Sequence, residues 1–261
     1  MNGFIRGSRG ISSRIASFVF VLVIWEIVVL AGIAPARYFP NLTKIGAGAW
    51  AMLANGELPH AELLTMGRAF FGLIVATFLG IALALISDVV PIFGRGFAVI
   101  AAILQPVPPA AIIPVAIFAL GLGIKLYTFI IVIVAIWPPY LNGVAALRAV
   151  PTEQILTGRM MGLSSVALLL RIKLPAALPE IFAGIRYAAA LSLIAVIVSE
   201  MLAGQNGIGH LLVEKSFSMR IPEVFALMFI AMIDGVIMSA VVNLMRRSFT
   251  GWHMQQREAQ R

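Results

Sequence analysis

Charge placed in a hydrocarbon layer is expensive, so ionisable side chains inside long apolar runs are the first place to look for chemistry. Four acidic residues qualify: Glu26, Asp88, Glu200 and Asp234 lie within such runs or at their ends. A carboxylate in that setting can hold a proton, contact a solute or brace a neighbouring helix. Glu26 and Asp234 are the deepest, and for Asp234 a bond to a neighbouring helix is expected ahead of a solute or proton site. Glu200 and Asp88 are read as lying near water and solvated. No run carries repeated acids, which disfavours cation selection. Elsewhere the sequence offers no constellation for bond-breaking chemistry. His60, His210 and His253 stand singly, and without Cys there is no thiolate metal site, disulfide or thiol nucleophile. There is no Gly-rich loop ending in Gly-Lys-Ser/Thr, no His-Glu-x-x-His and no Gly-x-Ser-x-Gly. The chain is therefore not expected to be an enzyme, to bind a metal or to carry a cofactor of its own.

The elements that must position these acids follow from composition. Of 261 residues 61% are hydrophobic and 11% charged, and mean hydropathy is +1.01. Soluble domains carry about 25% charged residues, so this is an all-α polytopic membrane protein. A net charge of +8 would point to nucleic acid in a soluble protein; here it points to loops facing anionic lipid, and no nucleic-acid partner is expected.

Six apolar runs long enough to span at about 1.5 Å per residue are read at 15–33, 63–87, 97–120, 124–147, 182–202 and 224–245, forming a single transmembrane domain over 15–245. The basic start at 1–14, the first run and Ala34-Pro35-Ala36 imitate a signal peptide, but the run is long, carries Trp25-Glu26 and is followed by more spans. Residues 35–61 read as a loop with a short amphipathic piece around 45–53. Span two carries Gly72, Ala76, Gly80 and Ala84 four apart, and span five Gly184, Ala188 and Ser192; such stripes let helix backbones approach closely where lipid gives no burial drive. Pro106, Pro108, Pro109 and Pro114 in span three remove backbone donors and must distort it, which is tolerated only beside protein or a wet cavity. Gln105, Pro108 and Pro109, together with Glu200 and Asp234, are therefore candidates for a translocation pathway. Trp137-Pro138-Pro139 kinks span four. A loop runs from the AGQNGIGH turn to Pro222, and a basic tail occupies 246–261.

Between spans four and five lies a polar, basic loop, 148–181, with the stretch from Arg159 to Ile181 at its heart. Met161, Val166, Leu169, Leu170 and Ile172 recur at helical spacing, and Pro175 and Pro179 are expected to stop the chain twice. This reads as a short surface helix, a break and re-entry. With both termini and this loop on one side, that side holds 13 of the 19 basic residues and the other 6, which the positive-inside rule assigns to the cytoplasm. A helix presenting Leu163, Val166 and Leu170 beside Arg159, Arg171 and Lys173 suits a groove on a cytoplasmic partner or the membrane surface itself.

Gly162 followed ten residues later by Ile172, Leu174 and Pro175 resembles the glycine and Ile-x-Leu-Pro of the loop in permease subunits of bacterial ATP-binding cassette importers. SEMLAGQNGIGHLL, ILQPVPPAAIIPVAIFALGLG and VIWEIVVLAG are similar to segments of the nitrate, sulfonate and taurine branch, so the likeness covers nearly the whole chain. One departure stands out: where the family usually has Glu-Ala-Ala, this chain has Leu156, Thr157 and Gly158, with Glu153 upstream. The resemblance implies a type I importer permease bundle of six helices in a bacterial inner membrane, with a coupling loop of Arg159, Gly162, Leu163, Ser164, Val166, Ile172, Leu174 and Pro175. It also implies a second permease copy, two ATP-binding cassette ATPase subunits that bind ATP and Mg, an extracytoplasmic substrate-binding protein and a small solute, with a sulfonate, nitrate or similar anion favoured. It assigns Glu26 a structural role. A stand-alone proton-coupled transporter using Asp234 and Glu26 is the alternative, and a membrane-embedded enzyme a third.

Overall fold

Apolar runs with few breakers bury their backbone hydrogen bonds by coiling, and the computed structural model is helical nearly throughout, with no strand among the described residues. It describes residues 3–33, 35 and 37–259, with side chains outside 3–15, 18 and 250–259. Twelve helices are present among them. They are α1 (Gly3–Leu30), α2 (Leu42–Ala54), α3 (Glu57–Val89), α4 (Pro91–Leu104), α5 (Pro109–Leu120), α6 (Ile124–Ala135), α7 (Trp137–Arg148), α8 (Thr152–Met160), α9 (Ser165–Leu168), α10 (Leu174–Ala203), α11 (Ile208–Phe217) and α12 (Ile221–Ala259), with a π turn at Leu169–Lys173 joining α9 to α10. Four stretches are long and apolar enough to cross a membrane: Glu57–Val89, Ile124–Arg148, Ser165–Ala203 and Ile221–Phe249. The pair α4 and α5, bent by 101° at its break, makes a fifth if it counts as one span, and Val19–Leu30 is a shorter apolar helix.

Several boundaries differ from the sequence reading. The N-terminal segment does not stand apart from span one, because α1 already begins at Gly3; the side chains of Arg6, Arg9 and Arg14, and Ala34 and Ala36 of the signal-like motif, lie outside the described residues. Likewise the basic tail continues α12 as helix, and the side chains of Arg257 and Arg261 lie outside the described residues. The stretch after Gly207 is not loop but largely α11. Span three is not one helix. Pro106, Pro108 and Pro109 cannot donate, so α4 ends at Gln105 and α5 restarts with Pro109 in its first turn, where a missing N–H costs nothing.

The chain divides into two compact units. The first, Met1–Pro59 with Leu212–Phe229, is organised on Trp25, which packs between Phe39 at 5.7 Å and Phe225 at 5.3 Å and donates from Nε1 to the Pro40 carbonyl at 3.1 Å. Glu26 beside it accepts from the Leu42 N–H at 2.8 Å, and Asn41 accepts from Lys44 at 3.0 Å. Both side chains thus cap the N-terminus of α2. Glu26 is a helix cap in this structure. In the same unit Lys215 is 1% exposed and bridges Glu57 and Glu214. Burial alone would push its ammonium down, but the hydrogen bonds to Glu214 and Glu57 outweigh it and hold the group above the usual lysine value.

The second unit is His60–Leu211 with Ile230–Arg261. Its core is small-residue packing: Ala69, Ala76, Ala135, Ala188, Ala189 and Ala195 are buried with Ile130, Ile131, Leu126 and Val196. Gly72, Ala76, Gly80 and Ala84 all lie on the buried side of α3. A Cβ at Gly80 would stand 2.7 Å from the Ile136 carbonyl, and one at Gly184 2.6 Å from the Pro138 carbonyl. Proline makes that approach possible from the other side, since α7 restarts at Trp137 with Pro138 in its first turn. Ala188 and Ser192 are buried on α10, where Ser192 Oγ donates to the Ala189 carbonyl at 2.8 Å.

Candidate functional site

The loop between α7 and α10 is built on a glycine. Gly162 has φ +77°, a conformation strained for any side chain. Its N–H donates to the Arg159 carbonyl at 2.9 Å and the Leu163 N–H to the Gly158 carbonyl at 3.1 Å. That paired pattern is a Schellman motif, which satisfies the last carbonyls of α8. Two residues on, Ser164 adopts an extended backbone and its Oγ accepts from the Ala167 N–H at 3.3 Å, capping α9. Gly162 and Ser164 are thus the end of one helix and the start of the next. A Cβ at Gly162 would meet nothing within 4 Å, so the glycine answers to backbone geometry and not to crowding.

Pro175 and Pro179 do not stop the chain. The helix runs unbroken from Ser165 to Ala203, because the π turn at Leu169–Lys173 ends one residue short of Pro175. The Leu174 N–H reaches back to the Leu169 carbonyl, and this wider turn relieves the clash a proline ring makes with the preceding turn. Ile172 and Leu174 are half-buried, as is Pro175. Ile172 explains Gly158: a Cβ there would lie 2.5 Å from Ile172 Cδ1. The departure from Glu-Ala-Ala therefore includes one residue whose smallness lets the π turn close on α8.

This closure forms a cleft of ≈ 250 Å³ lined by Asp88, Ile155, Arg159, Leu163, Ser165 and Lys173 among others. Lys173 Nζ donates to both Asp88 oxygens at 2.8 Å, fastening the π turn to the end of α3. Asp88 is thus ion-paired and not simply solvated. Leu163 is half-buried and faces this cleft instead of presenting outward with Val166 and Leu170. What the loop does expose is apolar: Met160 is 89% exposed and Met161 75%, with Leu156, Val166 and Leu170 each more than half exposed. Leu156 and Met160 share one helical face, as do Val166 and Leu170, and Arg159 and Arg171 beside them are exposed.

The pathway candidates separate into three places. Gln105, Pro108 and Pro109 come together on a cavity of ≈ 330 Å³ at the break between α4 and α5, with Trp137 and Tyr187 across from them in sequence. Glu200 is elsewhere and is not near water: it is 0% exposed. Its carboxylate accepts from Thr65 Oγ1 at 2.8 Å, Arg68 Nη1 at 2.6 Å and the Gly209 N–H at 3.0 Å. Arg68 also reaches Asn206, and stacks 4.2 Å above the Tyr127 ring. The cluster binds the AGQNGIGH turn to α3, with Gly207 at φ +103° packed on the carboxylate. Asp234 is 1% exposed and lies beside Glu62 of α3. Sequence reading passed over Glu62, Thr65 and Arg68 because they fall at the edge of an apolar run. The spacing of three between Thr65 and Arg68 placed both on one face, but only the fold supplies Glu200 as their partner.

Residues 76–252 match the family described as binding-protein-dependent transport system inner membrane component. The chain is 30% identical over 178 residues to the nitrate import permease protein NrtB of Leptolyngbya laminosa, covering 68% of this chain and 64% of that one. It is 26% identical over 235 residues to the putative aliphatic sulfonates transport permease protein SsuC of Escherichia coli K12, covering 90% and 89%. Among solved structures, a chain of the MetNI methionine ABC transporter in an inward-facing conformation superposes with a TM-score of 0.59 at 17% identity, over 81% of this chain and 98% of that chain. That likeness speaks for the fold alone. A helical membrane chain that exposes an apolar turn between two basic helix ends, and matches this family over most of its length, belongs to the binding-protein-dependent transport system inner membrane components, the permease subunits of ABC importers.

Proposed function

We propose that this permease pairs with a second copy of itself to enclose a pathway for a small anion, a sulfonate or nitrate-like solute, handed over by an extracytoplasmic binding protein. Two separate ATPase subunits, which bind ATP and Mg, dock on the α8–α9 turn of each copy. Residues 1–14, the loop 148–181 and the tail 246–261 face the cytoplasm, in line with the 13 to 6 split of basic residues. The observation that carries the reading is the exposed set Leu156, Met160, Met161, Val166 and Leu170 between Arg159 and Arg171. Helix α8 is otherwise polar, with Thr152, Glu153, Gln154 and Thr157, which suits a protein groove better than lipid. The Schellman turn and the Asp88–Lys173 pair hold the turn rigid, so nucleotide-driven closure of the ATPases reaches α10 as a rigid-body push. The names of the relatives support a small anion, since one imports nitrate and another aliphatic sulfonates.

The test is purification of the tagged chain from its native membrane in mild detergent. Recovery of a Walker-motif ATPase in equal copy number, lost in Met160→Asp, is the expected result. A chain that comes out alone, or with itself only, and still transports after reconstitution would overturn the reading.

A further inference from the structure

At the opposite end of the span Ile124–Arg148 from the loop 148–181, a groove of ≈ 550 Å³ lies between α3, the end of α5 and the start of α6. Phe71, Leu120, Phe129 and Val132 give it apolar walls, and its one charged lining residue is Lys125. Lys125 is exposed and stands one residue inside the start of the span. Among the described residues its ammonium has no ion-pair partner, and the half-buried Thr128 hydroxyl has no hydrogen-bond partner. Lys125, Thr128, Phe129 and Val132 are spaced i, i+3, i+4 and i+7 and so share one face of α6. At about 1.5 Å per residue, Thr128 lies about 4.5 Å and Val132 about 10.5 Å further along the helix than Lys125. From the membrane surface inwards, the wall therefore runs from cation to hydroxyl to aromatic ring to aliphatic side chain.

We infer that this groove seats one anionic phospholipid, with its phosphate on the Lys125 ammonium, a glycerol ester carbonyl accepting from the Thr128 hydroxyl, and an acyl chain along Phe71, Phe129 and Val132. The polarity of such a lipid changes in the same order along its length. Lipid tails are as apolar as the walls, so the walls orient a chain without choosing among lipids, and the choice falls to the two polar groups. A lysine favours a headgroup of net negative charge, because the cation of a zwitterionic headgroup competes with it for the same phosphate. Inorganic phosphate would leave the apolar walls unused and meet one exposed, hydrated ammonium, a pairing of little worth. A second copy of the chain seated here through the same patch would bring a second Lys125 and no carboxylate to meet it, since none lines the groove.

The experiment is native mass spectrometry of the permease with whatever accompanies it from the membrane in mild detergent, titrated with dioleoylphosphatidylglycerol or dioleoylphosphatidylcholine. One phosphatidylglycerol retained per permease copy, about fivefold more tightly than phosphatidylcholine, is expected. Lys125→Gln, at an exposed position, should abolish that preference while the complex stays assembled. Equal retention of the two lipids, a preference that survives Lys125→Gln, or displacement of phosphatidylglycerol by inorganic phosphate at equal concentration overturns the site. Retention of neither lipid also overturns it, and loss of one permease copy from the complex in Phe129→Ala would then assign the groove to a second copy.

Discussion

Gly162 shows how much one residue can decide. With φ at +77° and open space around it, the penalty for a side chain is conformational, about 1–2 kcal/mol for an L-residue held in the left-handed region. Gly162→Ala and Gly162→Leu should therefore lower ATPase recovery with the tagged chain to a similar extent, and Gly162→Asn, a residue tolerated there, should lower it less. A size-graded loss would mean that steric crowding matters after all. Buried charges make a second contrast. Removing Glu200 strands the Arg68 guanidinium, whose side chain is 11% exposed, so Glu200→Ala should cost about 3–5 kcal/mol, read as a fall in the thermal unfolding midpoint in detergent. Lys215→Met should cost about 1 kcal/mol or less, because the Glu57 and Glu214 side chains it leaves are 37% and 47% exposed and water can take its place. The raised Lys215 value means that on the alkaline side its pairing is lost as pH rises through that raised value, and on the acid side it is lost as Glu57, held below its ordinary value first by a hydrogen bond to Asn55 and also by Lys215, takes up a proton. An alkaline loss unchanged in Lys215→Met would contradict that sign.

At the scale of elements, the helices meet through absent side chains and interrupted backbones. The stripe on α3 approaches α7 so closely that Gly80→Leu has to displace the backbone near Ile136 and Pro139. Its expected outcome is loss of folded yield, judged by size-exclusion recovery; an unchanged yield would mean the two helices are not held at this spacing. Gly46 on α2 is the control, since a Cβ there meets nothing within 4 Å. Gly46→Ala should leave yield intact and stabilise α2 by up to about 1 kcal/mol, the helix-propensity difference. Prolines act in opposite ways in different elements. Those at 106, 108 and 109 break a span by 101°, whereas Pro175 is absorbed by a π turn and Pro179 sits inside α10. The outcome depends on what precedes each one, which residue type alone does not reveal.

For the whole molecule, the proposed docking of the ATPases falls on the exposed apolar turn. Met160→Asp and Val166→Asp should release the ATPase without lowering the yield of folded permease, since both side chains are more than half exposed. Leu163→Asp should instead lower that yield, because Leu163 faces the cleft beside Asp88 and Lys173. If all three behaved alike, the distinction between docking face and scaffold would fail. The break in the bent helix pair belongs to the same scale: the cavity walled by Gln105, Trp137 and Tyr187 lies there, where lipid could not satisfy the carbonyls that proline frees.

The helical class, the apolar runs and the motif from Gly162 to Pro175 were all readable from the sequence. Periodicity, hydropathy and proline are local properties, and a membrane leaves a polypeptide few alternatives to helix. The fold decided what depends on residues far apart in the chain. Glu200 reads as an acid at the end of a span until Thr65 and Arg68 are placed against it, and Asp88 reads as solvated until Lys173 arrives 85 positions later. Leu163 and Met160 have similar apolarity and lie three residues apart, yet one faces a cleft and the other solvent, because the Schellman turn at Gly162 reverses the chain between two helices. Burial is a property of neighbours, and neighbours are brought together by tertiary packing.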